Sequence, residues 1–133
     1  MRTLLRPASR GDEIVIYLAS PYSHPEAEVR RARFEAACRA AAELTRQGKT
    51  VFAAVVHSHQ ISRYGLPLDW KFWARHDRRF LELCREVVVL MLPGWEASVG
   101  VQAEIAIARE LGKPVSFIRP NGQAEENPAR SRE

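Results

Sequence analysis

The stretch Val87–Pro114, VVVLMLPGWEASVGVQAEIAIARELGKP, constrains the fold more than any other part of the chain. It opens on an unbroken apolar run, Val87–Leu92, rich in β-branched residues. Such a run suits a parallel strand covered on both faces, where neither side meets water. Pro93-Gly94 breaks it. Ser98 can then cap a helix, because its hydroxyl accepts a bond from an orphan N–H of the first turn. Val101, Ile105, Ala108 and Leu111 follow at helical spacing. Gly112 suits the left-handed position after a helix, and Pro114 prevents continuation. One residue does not belong on that stripe: Glu104, beside Val101, Ile105 and Ala108. A carboxylate there must be paired, protonated or used in chemistry. The competing reading is an edge carboxylate that bends out to solvent.

The rest of the chain repeats the unit. Ile14–Leu18 reads as a first strand, ending in the small and polar loop Ala19–Pro25. A helix is predicted from about Glu26 to Gln47, with Phe34, Ala37, Ala41 and Leu44 on its buried stripe. Val51–Val56 reads as a second strand, followed by His57-Ser58-His59 and a turn-rich loop to Leu68. His57 and His59 alternate at the strand end and share a face on this reading. Asp69 can cap a helix from Trp70 to about Cys84, whose stripe is Trp70, Trp73, Phe80 and Cys84. Asp77 completes that stripe and is the second acid on an apolar face. Val115–Ile118 is a fourth strand. Strands alternating with helices imply an α/β fold with a parallel sheet covered on both faces. Right-handed crossovers then favour a flavodoxin-like or Rossmann-like three-layer sandwich with spatial order 2-1-3-4. The division expected is a loose lead-in over 1–13, one domain over 14–119 and a polar tail over 120–133.

Composition excludes several function classes. At 133 residues the chain can bury a core without staples. Its apolar runs are too short to span a bilayer. The first residues lack the apolar core of a signal peptide. Cys38 and Cys84 both fall in helical patterns, so reduced thiols and a cytoplasmic location are the simplest reading. The net charge of +4 comes mostly from arginine. The arginines are scattered among acids rather than gathered in a basic stripe with aromatics, so a nucleic-acid polymer is a poor partner. No G-x-G-x-x-G motif and no P-loop lysine is present, which argues against NAD and ATP. A metal at His57 and His59 would need a third ligand with no supporting spacing motif, so no metal or cofactor is expected.

In the expected fold, ligands sit beyond the strand carboxyl ends where strand order reverses, between strands 1 and 3. That brings Ser20, Tyr22 and Ser23 opposite Gly94, Ser98, Gly100 and Glu104, with Asp77 on the helix feeding strand 3. Two carboxylates at one crevice suit glycosidic bond cleavage, one as nucleophile and one managing the leaving group's proton. The helix start at Ser98 offers free N–H groups that, with the hydroxyls of Ser20 and Ser23, can hold a phosphate. Trp95 on a turn is placed to stack on a base or pack at a subunit interface, and His57 to line the base pocket.

Tyr17, Asp77, and Ser98-x-Gly100-x-x-x-Glu104 followed by Gly112-Lys113-Pro114 resemble the nucleoside 2-deoxyribosyltransferase superfamily. The resemblance spans most of residues 14–118. It implies a Rossmann-like sheet, homodimers or larger homo-oligomers, no metal, and a small nucleoside or nucleotide as partner. Carried over by position, Glu104 is the nucleophile at C1′, Tyr17 orients it, and Asp77 protonates the departing base. Serine at position 98, where base-exchanging members carry an acid, is similar to the 5′-monophosphate N-glycosidases. Two features depart from that branch. Trp95-Glu96 precedes Ser98, and the loop after strand 1 lacks the arginine and glycines found there. These departures resemble a less characterised branch of short bacterial and phage proteins. The alternative is a non-catalytic nucleotide-binding module of the same fold, which would bind without releasing base.

Overall fold

The computed structural model describes residues 14–121 and 124–125. The lead-in expected over 1–13 and most of the polar tail lie outside the described residues. Strand β1 (Val15–Ala19) runs into helix α1 (Ala27–Arg46), and β2 (Thr50–Ala53) runs directly into α2 (Ala54–Ser62). Helix α3 (Trp70–Leu83) leads to β3 (Glu86–Leu90). A 3₁₀ turn at Trp95–Ala97 precedes α4 (Val99–Glu110), then β4 (Val115–Ile118) and β5 (Ala124–Glu125). The sheet order is β2-β1-β3-β4-β5. The first four strands are parallel, as the alternating pattern predicts, and β5 adds an antiparallel edge. No helix among the described residues is long and apolar enough to cross a membrane.

Alternation along the strands sorts the core into two layers. Tyr17, Ala19, Val87, Val89 and Phe117 face Leu81 of α3 and Val101, Ile105 and Ala108 of α4. Ile16, Leu18, Val88, Leu90 and Ile118 face Ala40 and Leu44 of α1. Past Glu86, which opens β3, the central strands β1 and β3 are apolar because both of their faces are covered. Tyr17 is the polar exception, at the middle of β1 and wholly buried.

The caps and turns follow the sequence in most places. Ser98 Oγ accepts from Val101 N at 3.2 Å, closing the first turn of α4. Gly112, with φ of +70°, ends that helix as expected. Lys113 Nζ then reaches across to the C-terminus of α3, donating to the carbonyls of Leu81 and Glu82 at 2.6 Å and to that of Cys84. A lysine there offsets the negative end of the helix and fastens α3 to the end of α4. Asp69 precedes α3 but its side chain makes no capping bond.

The second strand is shorter than the sequence suggests. Val51–Val56 reads as one apolar run, yet helix begins at Ala54. Ala54 and Val55 are buried in that helix rather than in the sheet, which is the ambiguity of any short apolar run. The correction matters for the histidines. On a strand, His57 and His59 would share a face. On α2 they point apart, His57 towards α3 and His59 towards α1.

Candidate active site

The site forms where α3 and α4 cover the carboxyl ends of β1 and β3. Tyr17 sits between Phe52 of β2 and Val87 of β3 in the sheet register. Its hydroxyl donates to Glu104 Oε2 in the second turn of α4. Glu104 is 5% exposed and Asp77 7%, so the two acids predicted on apolar stripes are both inside the molecule. Asp77 Oδ1 lies 2.9 Å from His76 Nδ1.

Burial dominates the electrostatics. It raises the Glu104 carboxyl to about 8, with the bond from Tyr17 opposing the rise and the charge of Asp77 adding to it. Burial also raises Asp77, while His76, Tyr17 and His57 favour its anion. Tyr17 is pushed well above the usual phenol range by burial first, then by the neighbouring charges of Glu104 and Asp77. The tyrosine is therefore a fixed donor and not a base. Near neutral pH Glu104 holds a proton that an exposed carboxylate would have lost, and Asp77 is shifted in the same direction.

A cavity of about 620 Å³ opens onto this group. Glu104 and Asp77 line it together with Ser20, Tyr22, Ser23, Gly94, Ser98 and Gly100. Each of these came from the sequence reading. Ser20 is buried, and its hydroxyl has no partner among the described residues. Tyr22 is held by a 2.7 Å contact between its hydroxyl and His59 Nδ1, and His59 stacks on Phe34 of α1 at 4.0 Å. Ser23 Oγ donates to the Leu68 carbonyl at 3.2 Å, tying the β1–α1 loop to the segment before α3.

Two expected contributors lie elsewhere. Trp95 does not line the cavity; its indole packs on Phe117 at 5.6 Å, joining the apolar layer below. His57 does not line it either. Its ring stacks on His76 at 5.2 Å, so it reaches the site only through the neighbour that holds Asp77. Glu96, which would repel an anion if it faced inward, is exposed and absent from the lining. Among the described residues no group of three or more His, Cys, Asp or Glu side chains is placed to hold a metal.

Several lining residues escaped the sequence reading. Trp70 and Trp73 read as core, yet both form a wall of the cavity, with Trp73 Nε1 bonded to the Pro67 carbonyl at 2.8 Å. Arg33 escaped as well. With Arg30, Arg31 and the acids around them it has the look of a solvated helix face in the sequence, but it lines the cavity. The signal was present: Arg33 precedes Ala37, Ala40 and Leu44 at the spacing of the buried stripe of α1.

With this geometry in view, comparison with known proteins places the chain. Residues 14–119 match the family described as "Domain of unknown function (DUF1937)". The chain belongs to this family. No curated protein matches it. Among solved structures, this DUF1937 member is similar to the 2-deoxyribosyltransferase of the psychrotolerant bacterium Bacillus psychrosaccharolyticus. The two share 21% identity over 87% of this chain and 78% of that one, with a TM-score of 0.56. At that identity the likeness is one of fold: a single α/β domain of the nucleoside deoxyribosyltransferase type.

Proposed function

We propose that this DUF1937 member cleaves the N-glycosidic bond of a nucleoside or nucleoside 5′-monophosphate, using Glu104 as nucleophile. One observation carries the reading. A buried carboxylate accepts a bond from a buried tyrosine and shares a cavity with a second buried acid. A structural acid would be drawn to a cation, yet no ion pair is seen at Glu104 among the described residues.

The roles follow from chemistry. The ionised fraction of Glu104, which grows as pH rises towards 8, attacks C1′ while the bond to the base breaks, leaving the sugar esterified to the enzyme. The donor bond from Tyr17 orients the attacking carboxylate and leaves its other oxygen, Oε1, for the sugar. Protonated Asp77 gives its proton to the departing base nitrogen, a task suited to an acid whose pKa burial has raised. Water, or the nitrogen of a second base, then attacks C1′ and releases Glu104. The proton of the attacking water or base nitrogen passes to Asp77, and Glu104 leaves as the carboxylate. Hydrolysis and transfer thus share every step but the last acceptor.

The test is chromatographic. Purified protein is incubated with ribo- and deoxynucleosides and their 5′-monophosphates, with and without an acceptor base. Free base from a member of the panel, lost in Glu104→Gln, supports the reading. Base release that survives Glu104→Gln removes Glu104 as nucleophile. Binding without release over hours points instead to a nucleotide-binding module.

A further inference from the structure

We propose that Arg33 selects an anionic substrate for this cavity, a nucleoside carrying a 5′-phosphate. The inference rests on the glycosidase reading above and deepens it by naming the substrate class.

Arg33 stands near the start of α1, on the sheet face opposite α3 and α4, yet its guanidinium reaches the crevice. Nη1 donates to the Ser23 carbonyl at 2.9 Å and Nη2 to the Pro93 carbonyl at 3.3 Å. Ser23 belongs to the loop after β1 and Pro93 to the loop after β3. One side chain therefore spans the two lips of the cavity at the point where strand order reverses. The chain makes room for it. Gly94 has φ of +91°, and a Cβ built there would stand 2.9 Å from Arg33 Nη2. The left-handed backbone favours glycine at that position, and a side chain there would also displace the end of Arg33.

The charge is unclaimed. Among the described residues no carboxylate lies within ion-pair distance of the guanidinium. Burial alone lowers the Arg33 pKa. Beyond burial, the reacting acids are influenced by Tyr17, by His76 and His57 at Asp77, and by Asp77 at Glu104, not by Arg33. Two of the five guanidinium N–H groups are fixed by carbonyls, which sets the plane and leaves others for a ligand. Ser20, 6% exposed and without a partner for its hydroxyl, lines the same cavity, as does Ser98 at the start of α4. A cation held rigidly by neutral acceptors beside unpaired donors is a receptor for a planar or tetrahedral oxyanion. In a nucleoside whose C1′ faces Glu104, the 5′ substituent is the position that carries such a group.

The test compares Arg33→Gln and Arg33→Lys with the wild-type protein. Two quantities are read for each nucleoside and its 5′-monophosphate: kcat/KM for base release, and affinity by calorimetry in the Glu104→Gln background. The ratio of monophosphate to nucleoside should fall about 10- to 100-fold in Arg33→Gln, the range for losing a charged hydrogen bond. Arg33→Lys should fall between the two, since it keeps the charge and loses the fork. An unchanged ratio would overturn the proposal and leave Arg33 as a strap between two loops. Should no substrate release base, the glycosidase reading fails by itself, and binding still decides the matter. Monophosphate binding that is absent, or equal in wild type and Arg33→Gln, overturns the assignment. Inorganic phosphate competing with the monophosphate in wild type, and not in Arg33→Gln, supports it.

Discussion

Replacing Glu104 by glutamine should destroy base release and at the same time make the protein more stable at alkaline pH. The carboxyl titrates near 8 in the folded chain against an ordinary 4.5. Between those values the native state binds a proton that the unfolded state has released. Stability therefore falls as pH rises through this window, and the loss is complete above the folded value. At about 1.4 kcal/mol per pH unit, the interval corresponds to a ceiling of about 5 kcal/mol. Glutamine has nearly the shape of the protonated acid and can still accept from Tyr17, but it cannot ionise. The two proteins should be alike at pH 4.5 and separate steadily towards pH 9. Urea unfolding of both across that range measures the separation, with base release assayed on the same preparations. Parallel stability curves from pH 5 to 8.5, or a gap that grows by less than about 1.4 kcal/mol, would refute the reasoning. Such a result would mean that the acid reaches water, and the case for a stored nucleophile would go with it.

Three further outcomes follow from the same geometry. Tyr17→Phe removes the bond that opposes the rise in Glu104, so the acid limb of the kcat/KM profile should move to higher pH. Activity at pH 7 should fall about 10-fold or more, since each pH unit of displacement is tenfold in ionised nucleophile. Asp77→Asn keeps shape but cannot protonate the leaving group, and should slow base release by about 10²- to 10⁴-fold in single-turnover measurements. Gly94→Ala forces a side chain into a left-handed backbone and against Arg33. It should lower stability by about 1–3 kcal/mol in urea unfolding and weaken the preference for monophosphates.

Much of this was legible in the sequence because burial leaves a period. Val87–Leu92 reads as an interior strand, and the stripes of α3 and α4 are regular enough that Asp77 and Glu104 stand out as misfits. The structure buries both. The same test applied one turn earlier on α1 would have found Arg33, which continues the line of Ala37, Ala40 and Leu44. It was missed because Arg30 and Arg31 beside it made the segment look like a solvated face. Arg30 folds back along the surface onto the loop before α1, donating to the carbonyls of His24 and Pro25. The boundary between β2 and α2 had no such signal. Ala54 and Val55 are buried in either conformation, so the change from period 2 to period 3.6 leaves no polar residue out of place. The placement of Trp95 was equally silent, since an aromatic on a turn can face a ligand or the core. Here Phe117 provides the apolar neighbour that draws it away.

The position of Tyr17 explains why the acids come from helices. A carboxylate on β1 itself would sit in the packed layer between sheet and helices, with no route to a substrate. Tyrosine extends a polar atom from the strand to the edge of that layer while its ring fills the space beneath, against Phe52 at 5.7 Å. The helices then bring carboxylates to the hydroxyl from above, one from α3 and one from α4. Their relative position depends on how those helices are fixed, and Lys113 bonds the last carbonyls of α3 from the turn that follows α4. The acids thus sit midway along the two helices, and the residue that holds the helices together sits at one end of the pair. On this view Gly112-Lys113-Pro114 is a positioning device: glycine stops α4, lysine binds the end of α3, and proline directs the chain into β4. A change at Lys113 would act on the separation of two buried acids that lie about one to three helical turns from its bonds, by loosening the pair rather than by touching a substrate.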